Sequence, residues 1–200
     1  MEAATAAAPL SGDKAARIVD AMRASVAARG IAASTFDHVA RAAGVSRGLL
    51  HYYFGSKERL LVEVVRRECN VRKERLEAAI KGADSADRVL AALVQSLRDF
   101  LGAGPTAALM VYEMLTLAQR NPEIANELAE LARSTRLHLA EVLRAKRDSG
   151  VLELRDDPET VAAFLFALAD GITVRSLSEP GFDIAPVMAH AASCARALLG

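Results

Sequence analysis

An all-α chain of about nine helices is what the 200 residues predict, on three observations. Apolar residues recur at three- and four-residue spacing between caps and stops along the whole length. No alternation of apolar and polar residues bounded by turns supports a strand. Asn121-Pro122 and Asp157-Pro158 each place a capping side chain before a Pro at the first helical position, and a long helical pattern follows. With 52% hydrophobic and 25% charged residues, the chain has enough apolar material for one or two cored domains.

Taken in order, EAATAAAP in residues 1–10 reads as a disordered tail; an acidic residue, no basic start and no long apolar run exclude a signal peptide. Ser11 is a cap for a first helix to about Arg29, with Ile18, Met22 and Val26 as its stripe and Gly30 as its stop. Ser34 or Thr35 caps a second, short helix that turns Phe36, Val39, Ala40 and Ala43 inward and stops at Gly44. Val45 and Ser46 open a third helix to Phe54, with Leu50 and Phe54 four apart on its inner face. Two short helices separated by about three residues predict a helix-turn-helix. Arg47, Gly48, Leu49, His51, Tyr52 and Tyr53 are left for another surface, short, aromatic and rich in donors. Gly48 costs a helix about 1 kcal/mol relative to Ala, a cost that close approach of the backbone to a partner would offset.

Gly55 breaks the chain and Ser56 starts a long helix to about Lys81, striped with Leu60, Leu61, Val64, Val65, Val71, Leu76 and Ile80. Asp84 or Ser85 starts a helix (Val89, Leu90, Leu93, Leu97, Phe100) that Gly102 and Gly104 end, and Pro105 starts the next (Leu109, Met110, Met114, Leu117). The helix after Asn121 keeps Ile124, Leu128, Leu131, Thr135, Leu139 and Val142 on one face and ends at Gly150. From Pro158 to Val174 the chain is apolar on nearly all sides, and a last helix runs from about Pro186 to Leu199. These two Ala-rich helices close the chain with nothing after them to cover their apolar faces, which predicts a homodimer through them.

Charge and cysteine content narrow the function. Overall charge is zero, but residues 12–67 carry ten Lys or Arg against five Asp or Glu, whereas residues 68–200 carry fifteen against nineteen. Positive charge thus gathers around the helix-turn-helix, as a nucleic-acid binder requires. Cys69 and Cys194 are too few and too far apart for a zinc site or a disulfide framework, so no metal and no cofactor are expected. The longest unbroken apolar run, Val161 to Ala169, is nine residues, short of the roughly 20 that span a bilayer. A cytoplasmic protein with no membrane partner is expected.

AGVSRGLLHYYFGSKERLL resembles the DNA-binding signature of TetR-type (tetracycline-repressor-like) transcriptional regulators, and IVDAMRASVAARGIAASTFDHVA resembles the helix and loop before it. The resemblance runs from about Lys14 to Val65. Leu49 departs from it where the family often has a hydroxyl residue, and Arg23 and Ser25 where the first helix is usually more apolar. It implies a DNA-binding domain of three helices over residues 11–55 and an effector-binding and dimerisation domain over 56–200. From about Leu115 the chain also resembles the C-terminal domain of choline-responsive repressors of this family. No Trp and a single Tyr beyond the motif leave little for an aromatic cage, so that ligand is not carried over.

On this reading the chain is a ligand-responsive repressor whose homodimer binds a palindromic DNA operator. Only the major groove admits an α-helix and distinguishes all base pairs. Arg47 is the expected guanine reader, His51 and Tyr52 face base edges or thymine methyls, and Leu49 offers an apolar contact. Thr35, Ser46, Tyr53 and Lys57 donate to phosphates. For a largely apolar effector the candidates are Leu97, Phe100, Met110, Tyr112, Met114 and Phe164, with Glu113 and Arg175 as polar groups. An enzyme is not expected: His138 with Glu141, or Asp170 with His190, could be imagined as acid-base pairs, but no nucleophile, base and oxyanion donor come together. The alternative is a helical small-molecule-binding or protein-interaction module without specific DNA binding.

Overall fold

The computed structural model describes residues 12–179 and 181–200. The expected tail and the Ser11 cap lie outside the described residues. Within them the fold is all-α, with nine helices in succession: α1 Gly12–Ala33, α2 Phe36–Ala43, α3 Arg47–Phe54, α4 Lys57–Lys81, α5 Ala86–Gly102, α6 Pro105–Ala118, α7 Pro122–Asp148, α8 Pro158–Ser178 and α9 Ile184–Leu199.

Local capping sets most of these bounds, because a helix leaves its first N–H and last C=O groups without intrahelical partners. Ser56 Oγ accepts from the Arg59 amide, Ser85 Oγ from Arg88, and Asn121 Oδ1 from both Glu123 and Ile124. Asp157 does the same for Glu159 and Thr160. One bound differs from the sequence reading, and one of its alternatives is decided. Asp183 caps α9 through the Ala185 amide, so that helix starts at Ile184 and not near Pro186. Ser34 caps nothing: it is buried, accepts from Ser25 Oγ at 3.0 Å and donates to the Gly30 carbonyl at 2.9 Å. That bond satisfies the polar Ser25 in an otherwise apolar stripe. Gly30, with φ 76 and ψ 167, breaks α1 into two helical pieces where the stop is expected.

The described residues divide into two compact units: 12–67 with 110–128, and 68–109 with 129–179 and 181–200. In the first, Ile18, Met22 and Val26 of α1 are buried, as are Val39, Leu50, Leu60, Leu61, Val62 and Val64. Arg67 ties α4 to α1 through the Ala16 carbonyl at 3.1 Å and Asp20 at 3.6 Å. Met110 and Met114 of α6 and Ile124 and Leu128 of α7 are also buried here, and Arg59 and Arg66 reach Glu127.

The second unit packs Ile80, Ala83, Val89, Leu139, Leu143, Val161 and Leu199 into one core. Lys146 Nζ donates to the Lys81 and Ala83 carbonyls at 2.9 and 2.6 Å, satisfying acceptors at the end of α4. Arg196 on α9 pairs with Asp87 on α5 at 2.8 Å, and Arg136 on α7 pairs with Glu159 on α8. Val71 of the expected α4 stripe and Leu109 of the α6 stripe are exposed instead.

One helix bears on the membrane reading. α8 is 21 residues long with a mean hydropathy of 1.5 over its most apolar 18-residue window, so by length and composition it could cross a bilayer, although no single run exceeds nine residues. Val161, Ala162, Ile172 and Thr173 are buried against the rest of its unit, but only 22% of that window is buried, so much of the helix's apolar surface lies exposed in the single chain.

Candidate nucleic-acid interface and effector cavity

Thr35 caps α2 by accepting from the His38 amide at 3.3 Å, and Ser46 caps α3 by accepting from the Leu49 amide at 3.2 Å. Both hydroxyls act as acceptors, so each keeps its own O–H as a donor. Between the helices lie only Gly44, Val45 and Ser46. Gly44 has φ 66 and ψ 39, the left-handed conformation in which its N–H reaches the carbonyls of Ala40 and Arg41. The turn is a consequence of that one residue.

On α3, Leu50 is fully buried and is the anchor of the helix. Arg47, Gly48, His51 and Tyr52 are exposed, Tyr52 at 62%, while Leu49 and Tyr53 are half-buried. The Tyr52 and Tyr53 rings meet edge to face at 5.0 Å. A Cβ on Gly48 would meet nothing within 4 Å, so the protein's own packing does not require glycine there.

The exposed polar groups are organised among themselves. Arg47 Nη1 donates to both carboxylate oxygens of Asp37 at 3.3 and 3.4 Å, and its Nε donates to His51 Nε2 at 3.3 Å. The other ring nitrogen of His51 faces the Gly55 carbonyl at 3.4 Å, and its ring meets Phe36 at 4.8 Å. His51 thus braces Arg47 as well as facing outward. Asp37, absent from the sequence reading, is the acidic member of the group; its place in the first turn of α2 hid it, because that is also where helix dipoles favour carboxylates. Lys57 Nζ donates to the Ile31 carbonyl at 3.1 Å, an internal bond that leaves two of its three protons for other acceptors.

The second unit holds a partly open cavity of about 130 Å³ walled by α4, α5, α7, α8 and α9. Of the expected effector residues, Leu97 and Phe100 line it. Met110 and Met114 are core residues of the other unit, Phe164 is exposed on α8, and Arg175 is exposed beside Glu179 at 4.0 Å. Tyr112 and Glu113 also belong to the first unit and not to the cavity wall.

Residues that the sequence reading missed supply the polar wall. Cys69, Arg72, Lys73 and Glu77 line the cavity from α4 at helical spacing, beside Leu76 and Ile80 of the expected stripe and out of phase with Val71. The Arg72 guanidinium lies 4.5 Å over the Phe100 ring, a cation–π stack. Burial pushes the Cys69 thiol up in pKa, only partly offset by the Arg72 charge, so it is a neutral wall residue. His138 pairs with Glu77, 2.9 Å away without full hydrogen-bond alignment, and not with Glu141. Asp170 lines the cavity, while the His190 ring bonds the Pro186 carbonyl at 2.9 Å, so neither imagined acid-base pair forms. Among the described residues no group of three or more His, Cys, Asp or Glu could hold a metal ion.

Comparison with known proteins accords with this architecture. Residues 18–64 match the family described as bacterial regulatory proteins, tetR family, and residues 85–200 match the BetI-type transcriptional repressor C-terminal family. The HTH-type transcriptional regulator BetI of Rhizobium meliloti is 35% identical over 159 residues, covering 79% of this chain and 75% of that protein. The transcriptional regulator FadR from Bacillus subtilis, solved with stearoyl-CoA, superposes with a TM-score of 0.68 at 24% identity over 92% of this chain and 97% of its own. A protein from Saccharomonospora viridis described as a transcriptional regulator and solved with choline gives 0.67 at 24% identity, over 92% and 95%. Matched in both halves, the chain belongs to the TetR family of bacterial transcriptional regulators, DNA-binding and ligand-responsive rather than enzymatic, with a C-terminal part of the BetI type.

Proposed function

We propose that the chain is a cytoplasmic repressor whose homodimer reads a palindromic operator with α3 of each protomer and releases it when a largely apolar effector enters the cavity. The observation that carries this is the outer face of α3. Arg47, His51 and Tyr52 stand exposed around a glycine that internal packing does not need, on a helix anchored by one buried leucine. Such a face suits the major groove, with Arg47 on guanine, His51 and Tyr52 on base edges, and Leu49 on a thymine methyl. Thr35, Ser46, Tyr53 and Lys57 then serve the phosphates, which position the helix without reading sequence.

Dimerisation through α8 and α9 is supported by Phe164 and Val174 on α8 and Val187 on α9, large apolar side chains left exposed in the single chain. A second copy would cover them and account for the apolar character of α8. The effector must favour the DNA-incompetent state, since a ligand of equal affinity for both states shifts nothing. α4 supplies buried residues to the DNA-binding unit and wall residues to the cavity, which makes it the natural carrier of that preference.

Selection of bound DNA from a random pool, followed by sedimentation of the complex, tests the reading. The expected result is an inverted repeat with half-sites about one helical turn, roughly 10 base pairs, or a multiple of it apart, bound by an even number of chains. A pool that converges on no sequence counts against a specific regulator, and a single-chain complex removes the dimer. Lys57→Ala should weaken binding to all sequences and reduce the slope of log affinity against log salt by about 1. An unchanged slope would confine Lys57 to its bond with Ile31.

A further inference from the structure

Four charged side chains stand in the cavity wall: Arg72, Lys73, Glu77 and Asp170. Their partners leave the balance positive. Glu77 is held by Lys81 Nζ at 2.6 Å and faced by His138 at 2.9 Å, so its charge is answered before any ligand arrives. The Lys81 bond, with smaller help from His138, holds its carboxyl below the usual carboxylate range. Burial pushes the Asp170 pKa up, and the Arg72 charge pulls it part of the way back. Lys73 has no ion pair among the described residues, and it stands beside Arg72 in the wall.

Aromatic supply points the same way. Phe100 and Phe166 are the Phe, Tyr or Trp side chains in the wall, and a ring face of Phe100 already carries the Arg72 guanidinium. A quaternary ammonium is recognised by several free aromatic faces, and here the protein's own cation occupies one of them. A carboxylate meets the opposite situation: a guanidinium fork held in place by its stack and an ammonium one residue away on α4. Size is in keeping with this, because about 130 Å³ is comparable with the cavity of about 150 Å³ that admits benzene, room for a short hydrocarbon or aromatic body.

Taking the cavity as the effector site, we infer that its ligand is a small anionic amphiphile, a carboxylate on a short hydrocarbon or aromatic body. The head lies at Arg72 and Lys73, and the body lies among Leu93, Leu97 and Phe166.

Calorimetric titration of the full chain with hexanoate, hexan-1-ol and choline tests this. Hexanoate should bind at least about tenfold more tightly than hexan-1-ol, equivalent to about 1.4 kcal/mol, and Lys73→Met should remove most of that advantage. Equal binding of acid and alcohol overturns the inference, as does absence of hexanoate binding or displacement of hexanoate by choline. Should Lys73→Met fail to fold, the ratio of acid to alcohol in the unaltered chain decides. Release of the selected operator is read separately by gel shift. Hexanoate that binds but releases no DNA leaves the anion site standing and sinks the effector reading; choline that releases DNA does the reverse.

Discussion

Leu50→Ala is expected to destabilise the DNA-binding unit by about 3 kcal/mol, within the roughly 2–5 kcal/mol typical of a leucine truncated in a packed core. Leu50 is fully buried and is the one buried residue of α3, so no neighbour on that helix can take over its contacts. The cavity left behind lies under the recognition helix and loosens the surface that meets DNA. Chemical denaturation followed by circular dichroism should show an early transition for this unit, and DNA affinity should fall for specific and non-specific sequences alike. If the transition does not move, α3 is held by something other than Leu50.

Arg47→Ala should act in the opposite way, leaving the fold intact and removing sequence preference. Its loss should cost about 1–3 kcal/mol on the selected operator and relax discrimination at one base pair per half-site, as the loss of a bidentate guanine contact does. Its partners Asp37 and His51 are exposed, and exposed ion pairs contribute little to stability, so melting should change by less than about 1 kcal/mol. A variant with the same discrimination at every position would exclude Arg47 as a base reader. The two substitutions, three positions apart on one helix, thereby separate anchoring from reading.

Much of the first unit was legible because its signals are local. Gly44 as a left-handed stop, Ser46 as a cap and Leu50 as an inward residue each depend on neighbours within four positions. Thr35 rather than Ser34 as the cap was not legible, since both have the right side chain and only the packing of Ser34 against Ser25 separates them. Asp37 escaped for a related reason: a carboxylate in a first helical turn has an ordinary explanation, and its approach to Arg47 depends on the angle between α2 and α3.

The effector residues were the least legible. Met110, Met114, Leu97 and Phe100 are all large apolar residues at helical spacing, yet the first two are sealed in a core and the last two line a cavity. Along α4, Val71 belongs to the expected stripe and is exposed, whereas the charged Arg72, Lys73 and Glu77 line the cavity. Sequence by itself determined the helices, their starts and stops, and the helix-turn-helix with its charged surroundings, because caps, glycine stops and periodicity act along the chain. Tertiary structure alone decided which side chains enclose empty space and which charges around it are already answered. A cavity exists where side chains from several helices fail to fill the volume between them, and that is a property of no single helix.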